Sequence, residues 1–335
     1  DQIAGHLRKS GIEYCEYDKV LPNPPDYQVQ EATELARDFK SNAIVSVGGG
    51  SPMDTAKAVN ILLSNPSTIN AYDGMNTVKN PVGPHFAIPT TAGTGSEVTG
   101  VSVITDPKAK KKMVIFGANV APSVALVDPE LTLKLPPDIT ASTGMDALTH
   151  ALEAYISTLA SPVTDPLALE SARTIMRGLR RAYRNGNDIE ARSDMLLGST
   201  LAGLCFSNTC LGLAHSMAHP MGAYCNVPHG VGNAVALPYV MEYNAPAISP
   251  EKLSRIGEVL SLAVTGKTHE ETGKAISAEL SALAAELNIP RIRDIGVPKD
   301  LIPTLARAAL DELSTQTTPR KPTAEDVETL FEAAW

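Results

Sequence analysis

The sequence predicts two unlike halves: an α/β half on a parallel sheet, then an all-helical half. Two observations carry this. Up to about residue 135, short β-rich runs alternate with helical patterns, the signature of strands joined by crossover helices. After LPPD (135–138), segments with apolar residues at i, i+3 and i+4 follow one another, and β-branched runs nearly vanish. The paired prolines place the boundary, giving domains of 1–136 and 137–335.

In order, a short helix is expected to end at Gly11, followed by a strand in IEYCEYDKV (12–20) and a helix in YQVQEATELARDFK (27–40). NAIVSVGGG (42–50) reads as a buried strand running into glycines, and SPMDTAKAVNILL (51–63) as a helix. FAIPTT, VSVIT, KMVIF and VALVDP are further strands of the same sheet. The second half gives helices in TGMDALTHALEAYIS, DPLALESARTIMRGLRRAY, MLLGSTLAGLCF, GLAHSMAHPMGAYC, VGNAVALPYVMEYN and, last, AEDVETLFEAAW.

Composition narrows the function. Apolar residues make up 43% and charged residues 19% of the 335, a globular profile. The net charge of −9 argues against a nucleic-acid partner, which needs a basic face. No apolar run reaches the roughly 18 residues of a membrane span. Cys15, Cys205, Cys210 and Cys225 form no CxxC pair and read as reduced thiols of a cytoplasmic protein. The opening DQIAGHLRKSGIEY is neither a signal peptide nor an initiator-methionine start, so the chain is expected to belong to a longer product.

Two glycine-rich loops follow strands. In VSVGGGSPMD (45–54), glycines let the backbone approach a pyrophosphate, and the helix start adds free N–H groups. Ser51 is expected as the N-cap, with Pro52 and Asp54 in the first turn. The loop lacks the GxGxxG pattern. PTTAGTGSEVT (89–99) offers the hydroxyls of Thr90, Thr91, Thr94 and Ser96. Together they point to a phosphate or dinucleotide site at the carboxyl ends of strands. Of Lys110, Lys111 and Lys112, at least two are expected on a solvated face.

Histidines mark a second chemistry. In DALTH, Asp146 and His150 stand four apart and share a helix face. His215 and His219 repeat the spacing, and His229 follows after a break at 226–228. These last three sit among apolar residues with no acidic residue near in sequence, and buried histidines need partners. A shared cation or substrate is expected; for a cation, imidazole with carboxylate suits Zn, Fe(II), Ni or Co. Spacing alone leaves open which of them bind. His6, His85 and His269 read as surface or loop residues.

GGGSPMDTAKA, IPTTAGTGSEVT, GMDALTHALEAYIS and GLAHSMAHPMGAYCNVPHGVGNA, in this order, resemble the iron-containing alcohol dehydrogenase family over essentially the whole chain. The likeness is to its lactaldehyde reductase and propanediol dehydrogenase branch. It implies a dehydroquinate synthase-like fold, with an α/β nucleotide-binding domain and a helical metal-binding domain. It implies metal ligands at Asp146, His150, His215 and His229, with His219 facing the substrate as the proton-transferring group. It also implies cofactor contacts at Gly49, Gly50, Ser51, Asp54, Thr90, Thr91 and Thr94, with Asn23 and Lys112 near the nucleotide.

The implied activity is NAD(P)-linked oxidation of small primary alcohols or diols, or reduction of aldehydes. The metal, Fe2+ with Zn2+ as the alternative, acts as Lewis acid on the substrate oxygen. Hydride passes to or from the nicotinamide of NAD, with NADP as the alternative. The family's chains start upstream of this one, so the first strand and helix and the residue selecting NAD or NADP are expected outside it. A homodimer or larger homo-oligomer is implied too. The rivals are a zinc-dependent glycerol dehydrogenase, a dehydroquinate synthase-like lyase, a metal-dependent hydrolase and an inactive metal-binding fragment. Cofactor binding separates the redox readings from the last two.

Overall fold

Helix α1 (Gln2–Lys9) stops at Gly11, whose φ of +69° favours glycine. The computed structural model describes residues 2–335. The next stretch corrects an expectation: IEYCEYDKV forms no strand, and residues 13–20 run as irregular chain. β-Propensity is expressed only against a partner, and no described strand lies beside this segment.

The α/β half carries α2 (Asp26–Asp38), α3 (Gly50–Ser64) and six strands. These are β1 (Ile44–Gly48), β2 (Gly74–Met75), β3 (His85–Pro89), β4 (Val101–Asp106), β5 (Lys111–Phe116) and β6 (Val124–Ala125). They form two three-stranded sheets, β1-β3-β6 and β2-β5-β4. The first is parallel throughout, with Ile44 opposite His85 and Phe86 opposite Val124. The second departs from expectation, because β4 and β5 pair antiparallel. Only a tight turn separates Asp106 from Lys111, with Lys110 at φ +51°, too short for a parallel crossover.

This hairpin sorts its residues by period two. Ile104, Met113 and Ile115 join the core with Val29 of α2 and Ile61 and Leu62 of α3. Val101, Val103 and Thr105 lie opposite Phe116, Val114 and Lys112 and line a cleft.

Pro137, at the first helical position, opens α4 (Pro137–Ile156). Then come α5 (Thr164–Arg184), α6 (Ile189–Thr209), α7 (Leu213–Cys225) and α8 (His229–Asn244). Four more, α9 (Pro250–Val259), α10 (His269–Glu286), α11 (Ile302–Leu310) and α12 (Ala324–Ala334), complete the half. From Thr140 to Ile156, α4 is buried at every position but Thr143. A helix covered all round is a central strut. It packs against α5, α6 and α8.

His85 corrects a further expectation. It opens β3, is only 1% exposed, and its Nε2 lies 2.8 Å from Ser46 Oγ. Burial, aided by the Lys57 charge, pushes its pKa down to about 4. His6 is exposed and His269 half-buried, as expected. All four cysteines are free thiols, and burial pushes Cys205 up to about 11. No single helix among the described residues is long and apolar enough to cross a membrane.

Candidate active site

Three helices converge on one point. The central strut α4 brings Asp146 and His150, α7 brings His215, and α8 begins with His229. The chain turns between α7 and α8 through Asn226, in the left-handed region at φ +55°. One donor atom from each of the four residues lies within 4.8 Å of the others. The His150 ring stacks between Phe206 and His215, at centroid distances of 4.5 and 4.6 Å.

Each donor is held from behind. The Gly93 carbonyl, 3.1 Å from His150 Nδ1, accepts its proton. Glu153 Oε2 accepts from His215 Nδ1 at 2.6 Å, and the same carboxylate takes the N–H groups of Gly212 and Ala214. Asn233 Nδ2 donates to Asp146 Oδ1 at 2.6 Å and lies 3.2 Å from His229 Nε2. These contacts leave His215 Nε2 and His229 Nδ1 buried without a partner. Burial, aided by Lys112 and the neighbouring imidazoles, holds both histidines well below their usual range, so each ring is neutral and keeps one nitrogen lone pair. Three imidazoles, one carboxylate and the orphaned lone pair of His215 Nε2 fit a divalent transition metal.

Acidic partners absent from the neighbourhood in sequence arrive through the fold. Burial pushes Glu153 up to about 7, against the Ala214 and Gly212 N–H groups that favour its charge. Its one signal in the sequence is its place, three residues after His150 on α4. Glu312, far along the chain, holds His219 Nδ1 at 2.8 Å. His219 stays outside the four donors, its ring 5.4 Å from that of His229.

The glycine loops form the opposite wall. Gly49, extended, is the N-cap of α3, so Ser51 lies inside the first turn instead of capping it. No side chain caps this end, which leaves first-turn N–H groups open to an anion. The two loops touch through glycines: a Cβ on Gly50 would meet Thr94 Cγ2 at 2.9 Å, and one on Gly49 would meet Thr91 Oγ1 at 3.0 Å. Asp54 lies two positions deeper in the helix than expected, past the first turn. It accepts from Ser96 Oγ at 2.7 Å and Val103 N at 3.1 Å. Burial raises its pKa, opposed by Lys57. Lys57 is itself pushed down to about 8 by burial and donates to Ser96, Thr99 and the Val101 carbonyl. Glu97 ties the second loop to α6 by accepting from Thr200 Oγ1.

A cavity of about 230 Å³ joins the walls. Asn23, Gly50, Ser51, Asp54, Thr94, Lys112, the four donors and His219 all line it. Gly49, Thr90 and Thr91 stand behind the lining; Thr90 N donates to the Gly48 carbonyl, and Thr91 Oγ1 is buried without a partner. Asn23 bridges the halves through Asn226 Oδ1. Lys112 is buried and pushed down to about 8, whereas Lys110 and Lys111 are exposed. Phe206, Cys210, Leu211 and Leu313 complete the apolar lining near the donors.

Sequence models of the iron-containing alcohol dehydrogenases match residues 1–129, and of the Fe-containing alcohol dehydrogenase family, C-terminal, residues 140–335. The chain belongs to the iron-containing alcohol dehydrogenase family. It is similar to the 1,3-propanediol dehydrogenase of Citrobacter freundii, at 41% identity over 100% of this chain and 87% of that one. The lactaldehyde reductase of Escherichia coli strain K12 is 40% identical over the same shares. Among solved structures, a 1,3-propanediol oxidoreductase superposes with a TM-score of 0.96 at 40% identity, covering 100% of this chain and 88% of that one. The sulfoacetaldehyde reductase of Bifidobacterium kashiwanohense, solved with NAD+, gives 0.84 at 30% identity, covering 98% and 86%. An iron-containing alcohol dehydrogenase has a parallel-sheet α/β part and a helical part, the dehydroquinate synthase-like arrangement found here.

Proposed function

We propose that this chain is a metal-dependent, NAD-linked dehydrogenase of small primary alcohols and diols, reducing aldehydes in reverse. One observation carries the reading: the Asp146, His150, His215 and His229 donors and the glycine loops face each other across one cleft. When bound, iron(II) supplies Lewis acidity toward an alcohol or carbonyl oxygen, and the nicotinamide accepts or returns hydride.

The protein's part is positional and protonic. The open N-terminus of α3, with Gly50, Ser51 and Thr94, binds the pyrophosphate. Lys112 and Asn23 orient the ribose and nicotinamide end. Phe206, Leu211 and Leu313 exclude water from the reacting carbon. His219 Nε2 takes the alcohol proton in oxidation and returns it in reduction. NAD is the proposed cofactor, with NADP as the alternative, because an NAD+ complex and an NAD-dependent methanol dehydrogenase stand among the relatives beside an NADPH-dependent butanol dehydrogenase. The same reading divides the chain at residue 136, takes the protein as a homo-oligomer and places it in the cytoplasm, to which its four free thiols are suited.

The test is anaerobic NADH and NADPH oxidation with lactaldehyde and propionaldehyde, using chelated protein reloaded with Fe(II) or Zn(II). Turnover that returns only with metal is the expected result. Protein that binds metal but neither binds nor oxidises either cofactor would instead be a metal-binding protein without redox chemistry.

A further inference from the structure

Two cavities meet at His219. One is the cleft. The other, about 390 Å³, is walled by Asp73, Lys110, Tyr224, Glu312 and Gln316. His219, Lys112, Val114 and Leu313 line both. Glu312 sits just before the 3-10 turn Leu313–Thr317, with Oε2 2.8 Å from His219 Nδ1. The two side chains are 14% and 8% exposed, so the pair is set into the wall between the cavities.

A carboxylate accepts, so Nδ1 carries the ring proton. Nε2 then keeps its lone pair and has no protein partner among the described residues. A free imidazole favours the opposite tautomer, with the proton on Nε2. In that form the ring would offer the cleft a donor and take up no proton there.

We propose that Glu312 is the positioning residue that sets the tautomer and orientation of His219, and that the second cavity is the solvent side of the pair. The chemistry rests on the alcohol dehydrogenase reading. In oxidation the alcohol O–H bond breaks and its proton goes to Nε2, while the C–H electron pair leaves as hydride. The proton on Nδ1 moves toward Glu312, and water in the second cavity carries off the surplus. Aldehyde reduction draws one proton inward along the same path. The cavity sits behind the ring, so this exchange does not require the nucleotide to leave.

Glu312→Ala leaves a space open to that cavity. The expected result is a kcat lower on the order of 10- to 100-fold with the nucleotide KM unchanged. The 15N spectrum of His219 in metal-free protein should shift to the form protonated at Nε2. Sodium formate should restore kcat, because a small carboxylate fits the vacated place. Glu312→Gln, whose carbonyl still accepts from Nδ1 but cannot take its proton, should keep the tautomer of the parent and restore only part of kcat without formate. An unchanged kcat in Glu312→Ala, or a His219 that keeps its proton on Nδ1, overturns the proposal. The spectrum needs no turnover. If the unaltered chain oxidises no alcohol, the functional reading fails while the tautomer still decides the role of Glu312.

Discussion

The metal cage and the nucleotide cradle face each other across a single cleft, yet they are made of different parts. The cage consists of side chains projecting from helices that stand without them. Asp146, His150, His215 and His229 are each braced by Gly93, Glu153 or Asn233. The cradle consists of backbone, shaped by Gly49, Gly50 and Gly95 and pinned by Asp54 with the buried Lys57 and Ser96. In the cage, chemistry and stability are separable. In the cradle, the atoms that would bind the ligand are also the atoms that hold the fold.

Removing a cage ligand should show the largest effect and the cleanest separation. His215→Ala is expected to abolish iron(II) retention and turnover, because one of four donors is gone and the orphaned nitrogen with it. Its metal-free form should melt close to the parent. Metal analysis and circular dichroism melts check both; a collapse of the melt would put His215 among the groups that hold the fold.

Gly95→Ala should do the reverse. Gly95 has φ +60°, and a Cβ there would lie 2.7 Å from Gly203 Cα and 3.0 Å from the Ser199 carbonyl. Both are backbone atoms of α6 and cannot swing away. The left-handed strain and the clash together cost about 3 kcal/mol. Urea unfolding should show that loss, with weaker NADH binding. A variant as stable as the parent would mean the cradle is less tightly bound to the fold than its contacts imply.

A smaller, pH-dependent effect lies beneath the cradle at His85. Its folded pKa is about 4 against an ordinary 6.5, so between those values the unfolded chain binds more protons. The stability is fully present above pH 6.5 and is lost as the pH falls toward 4. By linkage, the protein is roughly 2 kcal/mol less stable at pH 5 than at pH 7 from this group. His85→Gln should remove that part of the slope in urea titrations at the two pH values. An unchanged slope would place the acid sensitivity elsewhere.

The same contrast explains how much of the site is legible in the sequence. A spacing of four pairs Asp146 with His150 and His215 with His219, because a helix keeps its period under any packing. Glu153 lies on the same helix, but its partners Gly212 and Ala214 come from a distant segment, so nothing local marks it as a brace. Gly93 acts through a carbonyl, which every residue has, so no residue type announces it. Glu312 meets His219 only through tertiary packing, whereas Asn233 stands four residues after His229 on α8 and is tertiary only in its contact with Asp146. The strand expected at 12–20 has suitable residues but no partner, and the cap expected at Ser51 falls instead on Gly49, whose extended backbone starts the helix earlier. The tight turn between Asp106 and Lys111 is short enough in the sequence to require an antiparallel pair, whereas strand-rich composition alone suggests only a sheet.

Along the β4–β5 hairpin, the pairs Val101–Phe116, Val103–Val114 and Thr105–Lys112 line the cleft. The alternate positions give Ile104, Met113 and Ile115 to the core. Descendants of such a chain can vary one set while selection holds the other fixed. Val103 and Val114 are thus places where mutation can redraw the reaction space without endangering folding, and diversification of substrate range has an open route through this one ribbon.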